Sequence, residues 1–350
     1  MSLNDAVLAL RNSVTISRLD HVHYLRVRGE AAYDALDRVC TPDLYVRDGQ
    51  LLHGLLLDED AHVFADIYLG CDDEEFFLLA EGPSAPALTD YLRRHTSDRD
   101  PPEIEEMGAN HKVLGVDGPY AWELLGLILG QETIGLPYLT FFHTDTGICY
   151  RAGKTGEYGY GIIAAPDVID GLWSRCLEVG SQLDVTEAGQ DALDQCALEN
   201  WFFNIRREGR ETVTPIELQL QWRVSSRKDY VGSHALARRR EEGPKQRLTA
   251  FVGGGPLKIG DTIGLESTSV GRIVNAGFST TYDKWIALGL LDIAWAYPGI
   301  DVFHVDRDDR SIPLCSVSPP VINNRSLYLN PQIHSFSTRH EFEFPNLAGA

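Results

Sequence analysis

The chain has 350 residues, 43% of them hydrophobic and 23% charged, the composition of a folded chain that buries a core in two or three domains. It carries 31 Lys and Arg against 51 Asp and Glu, a formal net charge of −20, which excludes a broad grip on a nucleic-acid backbone or an anionic membrane surface. Cysteines 40, 71, 149, 176, 196 and 315 form no CxxC pair, which excludes zinc-ribbon and thioredoxin-like chemistry.

In chain order, the N-terminus lacks the basic and apolar regions of a secretory leader, and no window approaches the length of a membrane span. Scattered thiols suit a reducing compartment, so the expected location is the cytoplasm. Residues 22–28 read as a strand. A helix is expected over 30–39, where Ala32, Ala35, Leu36 and Val39 recur at helical spacing. Residues 51–57 and 62–70 form an expected hairpin around Asp58, Glu59 and Asp60, followed by a strand at 76–79. A helix over 84–95 has Ser84 as its cap. The polar stretch 97–106 reads as a linker.

A strand at 112–116 and a helix at 119–129 follow. Strands at 147–150 and 160–165 flank a glycine-rich turn, and helices are expected at 166–179 and 187–200. The Arg238, Arg239 and Arg240 run reads as the solvated C-terminal end of a helix. From about residue 245 short strands alternate with glycines, at 247–252, 262–265, 271–276, 286–291 and 301–304. That is the pattern of an all-β barrel or sandwich.

Two places carry chemistry. Gly153-Lys154-Thr155 suggests a phosphate loop, but Ile148 stands where that loop needs glycine, and a strand follows instead of a helix. What remains is a tight turn presenting Glu157 between tyrosines, or simply a hairpin turn with a solvated glutamate. The second place is Asp66. Val63, Ala65, Ile67 and Leu69 share one face of their strand, and Asp66 lies on the other beside Phe64 and Tyr68. Apolar walls would raise its pKa and suit it to proton transfer beside a flat heterocycle. A polar outer face is the ordinary alternative. His21 and His23 alternate onto one strand face, but no third ligand is placed by sequence, so no metal site is assigned.

Seven segments in order resemble the folate-binding aminomethyltransferase family, the glycine-cleavage T-protein and its relatives. LRVRG at 25–29, with the following helix and CTPDL at 40–44, is similar to "VxG…LTNDL". HVFADIYLG at 62–70 resembles "GGIxxDLxV" and puts the family's essential aspartate on Asp66. GVDGPY at 115–120 resembles "GxxGP", and TGEYG at 155–159 resembles "TGExG", whose glutamate falls on Glu157. TPIELQLQWRV at 214–224, KDYVGSHAL at 228–236 and GRIVNAGFSTTYDKWIAL at 271–288 are similar to "TPxExxLxWxV", "KDFIGxxAL" and "GxVTSGxxSPTLxxxIAL".

The resemblance implies an α+β fold, a three-domain ring of the T-protein type with a C-terminal β-barrel-like domain. The implied domains are 1–50 with 137–225, then 51–136, then 226–325, with 326–350 as an extra tail. Tetrahydrofolate, or a 5-substituted form, would occupy the central channel, and a small molecule would give or take the one-carbon unit. Glu157 would anchor the pterin, since a carboxylate accepts two parallel N–H bonds from the aminopyrimidine edge. Asp66 would sit near N5, moving a proton or stabilising positive charge. Tyr68, Tyr158 and Trp222 supply aromatic walls, and which of them touches the ring stays open.

The departures shape the expected function. The family's "ARDxLRLE" helix has Gln190 and Ala197 in place of its arginines, and "SPTLxxN" is Ser279 to Trp285 without that pattern. A lipoylated carrier protein is therefore an unexpected partner. The expectation is a tetrahydrofolate-dependent one-carbon transferase, a methyl- or methylene-type enzyme with another substrate. The alternative is a non-catalytic folate-binding or interaction protein. Iron–sulfur-linked relatives carry a cysteine in "KGCYxGQE", and the block at 228–232 has none. The tail alternates polar and apolar around 332–344, which suggests an added strand, in this chain or in an oligomer.

Overall fold

The computed structural model describes residues 2–96 and 101–348. A mixed sheet, an antiparallel sheet and a closed barrel build it. The first sheet has six strands in the order Thr186–Glu187, Thr15–Arg18, Lys112–Asp117, Gly159–Ala164, Gly147–Arg151 and Thr140–Thr144. Helices Ala121–Ile128 and Pro166–Val179 cover one of its faces, burying Leu124, Leu125, Ile169 and Cys176 over Ile16, Leu114 and Ile162. Proline at the first position of the second helix suits an amide that has no partner there.

The second sheet runs Leu51–Leu57, Val63–Asp72, Glu75–Glu81, His23–Arg28 and Glu103–Glu106, all antiparallel. Helices Ala32–Val39 and Ala85–Thr96 close one face over Leu25, Val27, Ala65, Ile67 and Leu69. Ser84 Oγ accepts the Ala87 amide at 3.4 Å, the cap expected there. Strand alternation turns Tyr24, Tyr68 and Leu79 to the opposite face, where they pack on Val113, Ile148, Tyr150 and Ile163 of the first sheet. The two sheets thus stack face to face, each with its helices outside.

Gln246–Gly253, Lys284–Asp292, Thr268–Ser279, Thr262–Leu265, Phe303–Arg307 and Arg310–Val317 close in that order into the C-terminal barrel. Its interior holds Phe251, Ile273, Phe303 and Leu314. Helix Ser233–Glu242 packs outside it, and its Arg239 reaches Glu217 at 3.3 Å.

Four expectations change. The strand His23–Arg28 pairs with Glu75–Glu81, and Lys112–Asp117 pairs with Thr15–Arg18 and Gly159–Ala164. The five strands between His23 and Glu106 therefore build the second sheet and 112–117 return to the first, so the division at 50/51 and 136/137 moves. Of the expected linker, 97–100 lie outside the described residues, while Glu103–Glu106 is an edge strand. It pairs because Ile104 turns inward opposite Val27 while Glu105 meets Arg28 at 2.5 Å. His21 lies in a turn before the strand rather than on it, so it does not alternate with His23.

The tail is not a strand over 332–344, and two of its apolar side chains are buried in its own chain while Ile333 stays exposed. Leu329 and Phe336 enter the core of the first sheet, with Phe336 edge-on to Tyr120 at 5.3 Å. Its amide donates to Glu123 Oε2 at 2.8 Å. Polar neighbours are satisfied locally by Ser335 and Thr338, so no backbone ladder is needed. Phe336→Ala is expected to cost about 3 kcal/mol, the low end for a buried Phe because the tail can settle. Urea unfolding checks this, and an unchanged midpoint would mean that the tail adds no stability.

Among the described residues no helix is long and apolar enough to cross a membrane. All six cysteines are free, five of them buried.

Candidate ligand-binding cavity between the sheets

Asp66 and Glu81 stand directly opposite each other on neighbouring strands of the second sheet. Two facing carboxylates repel unless a cation joins them. Lys154, on the glycine turn of the first sheet, supplies it, with Nζ 2.7 Å from Asp66 Oδ2 and 2.6 Å from Glu81 Oε1. Arg206 pairs with Glu81 and with Asp194. Arg223 Nη1 donates to Asp66 Oδ1 at 3.2 Å, and His53 Nε2 lies 2.9 Å from the same oxygen. His53 in turn stacks on Tyr68, their ring centres 4.3 Å apart.

Asp66, Glu81, Lys154, Arg206, Asp194 and Tyr68 border a cavity of about 80 Å³ that Asp117, Tyr150 and Tyr160 also line, while His53 and Arg223 hold Asp66 from outside that lining. The Tyr160 side chain lies in the helix-side core of the first sheet, its hydroxyl buried without a hydrogen-bond partner among the described residues.

Burial pushes the Asp66 carboxyl up, as the sequence suggests. Lys154, His53 and Arg223 outweigh it and hold the carboxyl well below the usual carboxylate range. Asp66 is therefore a fixed negative charge at neutral pH, and the expected rise is corrected. Glu81 follows the same pattern: burial raises it, and Lys154 and Arg206 bring it below its ordinary value. Burial pulls the His53 imidazole down, against the pull of Asp66.

The expected meeting of Asp66 and Glu157 around one cavity is not what the chain builds. Glu157 is buried, and its Oε1 accepts from the Arg325 amide at 3.1 Å and from Arg11 Nη1 at 3.4 Å. Its Oε2 accepts from the amide and hydroxyl of Ser326 at 2.8 and 2.6 Å. Gly156, at φ +84°, makes the turn, and a Cβ there would stand 2.6 Å from Asn200 Oδ1. Glu157 and Tyr158 border a neighbouring groove with Tyr138, Arg151 and Phe202. Tyr158 Oη donates to the Leu329 carbonyl at 3.2 Å, and the Arg151 guanidinium lies 4.7 Å from its ring centre. Trp222 is 70% exposed, on an outer surface beside Pro42 and Asp43, with the Arg223 guanidinium 4.9 Å from its ring. Of the expected aromatic walls, Tyr68 shares the cavity with Asp66.

A family model described as the GCVT N-terminal domain matches residues 2–228. The chain belongs to this family. An aminomethyltransferase from Halothermothrix orenii is 25% identical over 312 residues, covering 86% of each chain. One from Caldanaerobacter subterraneus is 27% identical over 313 residues, covering 86% of this chain and 83% of the other. The crystal structure of the glycine cleavage system aminomethyltransferase T from Bartonella henselae superposes with a TM-score of 0.84 at 21% identity. It covers 93% of this chain and 90% of that one. The GCVT fold, with its C-terminal barrel, is thus the fold of this chain.

Within that fold the sequence reading passed over Lys154, Arg206, Arg223, Glu81, Asp194 and Asp117. Asp117 lies in the GVDGPY segment, and Lys154 in the glycine turn set aside as a failed phosphate loop. Burial pushes Asp117 up to about 7, while the Thr155 hydroxyl and Arg11 pull the other way. Its unfolded value is about 3.9. The native state therefore holds a proton that the unfolded chain releases, and the associated stability is complete below about pH 4 and lost as pH rises through about 7. Glu208, buried and likewise pushed up to about 7, acts in the same direction. Asp117→Asn is expected to flatten part of the decline, and comparing the two proteins separates Asp117 from Glu208. Urea midpoints across that range check it, and parallel curves would refute the raised carboxyl.

Proposed function

We propose that the chain is a tetrahydrofolate-dependent one-carbon transferase acting on a small molecule, with Asp66 as its central charge. The observation that carries the reading is Asp66 itself, ionised, enclosed, and held by Lys154, Arg223 and His53 at the wall of a cavity. The aminomethyltransferase relatives support the reaction class. The ring of Tyr68 on the cavity wall suits a flat ligand.

Bound there, a reduced folate would supply N5 as the atom that carries the one-carbon unit. Asp66 stabilises positive charge near that atom, because a preorganised charge in a site shielded from water needs no reorganisation during reaction. Lys154 and Arg223 keep it ionised and fix its direction. His53 adds a hydrogen bond and, packed on Tyr68, keeps the carboxylate from turning.

The small-molecule substrate differs, in this proposal, from a lipoyl-bound glycine remnant. Gln190 and Ala197 support that, since the arginines of the family's pattern are missing from the helix whose Ala197 lines the cavity. A second reading, a folate-binding or interaction protein without turnover, is favoured by Lys154. It bridges Asp66 and Glu81 from within the space that a ligand would enter.

Calorimetry with tetrahydrofolate and 5-substituted folates, under reducing and oxygen-free conditions, tests the proposal. Micromolar binding supports it, and no binding to any reduced folate overturns it. Added lipoylated carrier protein is expected not to support glycine turnover, and glycine synthesis would overturn the inference from Gln190 and Ala197.

A further inference from the structure

Four carboxylates line the cavity, and three are matched by cations. Asp66 faces Lys154 and Arg223, Glu81 faces Lys154 and Arg206, and Asp194 faces Arg206. The fourth is Asp117, for which no ion pair is found among the described residues. It ends its strand opposite Gly159. The Thr155 hydroxyl donates to its Oδ1 at 3.2 Å. Room beside that oxygen exists because two neighbours are glycine: a Cβ on Gly153 or Gly159 would lie 3.3 or 3.0 Å from it.

The other groups facing Asp117 come from three elements. Arg11, on helix Leu3–Asn12, is already bound to Glu199 and Glu157. Tyr150 belongs to strand Gly147–Arg151, and Cys196 to helix Gln190–Asn200. Burial pushes both of these side chains toward their neutral forms, leaving neither as a counter-charge.

We propose that Asp117 is the carboxylate that receives a paired N–H donor group of the ligand, an amidine-like edge such as the aminopyrimidine edge of a reduced folate. The inference rests on the proposed folate reading and deepens it. It gives the anchoring role to a carboxylate with open acceptor capacity, whereas both oxygens of Glu157 are taken by Arg11, Arg325 and Ser326. Accepting two parallel N–H bonds requires the ionised carboxylate. In the empty cavity burial pushes Asp117 up to about 7, so below that pH binding breaks its O–H bond. The proton passes to the buffer, and the ligand's N–H groups donate to the two freed oxygens.

The test is calorimetry on the full chain with two probes, 5-formyltetrahydrofolate and benzamidine, in buffers of different ionisation heat at about pH 6 and about pH 8.5. The wild type is expected to bind about tenfold more tightly at the higher pH and to release about one proton per ligand at the lower. Asp117→Asn is expected to bind more weakly, with neither the pH dependence nor the proton release. Its unfolding curve shows that it remains folded. If 5-formyltetrahydrofolate binds the variant with wild-type affinity and proton release, the Asp117 assignment falls and the folate reading stands. If benzamidine shows the Asp117-dependent behaviour and the folate does not bind, the assignment stands and the folate reading falls. Binding of neither probe overturns both.

Discussion

Asp66→Asn is expected to lower turnover by about 10²-fold or more, the scale of losing one preorganised group aimed at developing charge. Folate affinity should stay within a few-fold. The substitution keeps the shape of the side chain and one oxygen acceptor for Arg223 and His53, but removes the charge. Lys154 then keeps Glu81 as its only carboxylate partner, and the cavity wall turns from negative toward positive at the place where positive charge must be stabilised. Anaerobic calorimetry and single-turnover assays separate the two quantities. Comparable turnover in the variant would remove Asp66 from the chemistry, while loss of folate binding alone would make it a binding group.

The largest effect on stability is expected from Arg11→Met. Arg11 is fully enclosed, and its guanidinium donates to Glu199 Oε2 at 2.7 and 3.1 Å, the Thr155 carbonyl at 2.6 Å and Asn324 Oδ1 at 3.2 Å. Methionine fills much of the same space and makes none of these bonds. Two buried carboxylates, Glu157 and Glu199, would lose their cation, and breaking a buried pair from one side costs about 3–5 kcal/mol. Ser279 would still donate to Glu199 and Ser326 to Glu157, which limits the loss to that range. Equilibrium unfolding in urea measures it. A loss under about 1 kcal/mol, the size of an exposed ion pair, would mean that the cluster is hydrated in solution.

Much of the fold follows from periodicity. Helix Pro166–Val179 and the strands on either side of the 58–60 turn show their spacing plainly, and the face of Asp66 can be deduced by alternation alone. Strand Arg310–Val317 hides its alternation of Ile312, Leu314 and Ser316 behind Pro313, a residue that argues against a strand interior. Helix Leu3–Asn12 is marked in the sequence chiefly by the capping box that Ser2 and Asp5 form at its start.

The site is less legible because its members come from different layers. Asp66 and Glu81 belong to one sheet, Lys154 to a turn of the other, and Arg206 and Arg223 to stretches without a repeating period. Only the stacking of the two sheets makes them neighbours. The motif around Glu157 is visible in sequence, yet its hydrogen-bond donors lie 146 residues earlier and 168 and 169 residues further on, where no local pattern marks them. The same distance explains why a carboxylate suited to a ligand is instead satisfied by its own chain.

The cluster around Arg11 sets a timetable for biosynthesis. It joins residue 11 to 157, 199 and 324, and the turn at 157 to 325 and 326, so segments as much as 313 residues apart meet there. Until residues 329 and 336 leave the ribosome, the first sheet lacks Leu329 and Phe336 from its core. The second sheet and most of the barrel can be complete by then, since all their strands precede residue 318. The N-terminal unit is thus the last to close, reversing the usual order in which domains fold as they emerge. Stalled or truncated chains would expose that unfinished core, and quality control should act on them there first.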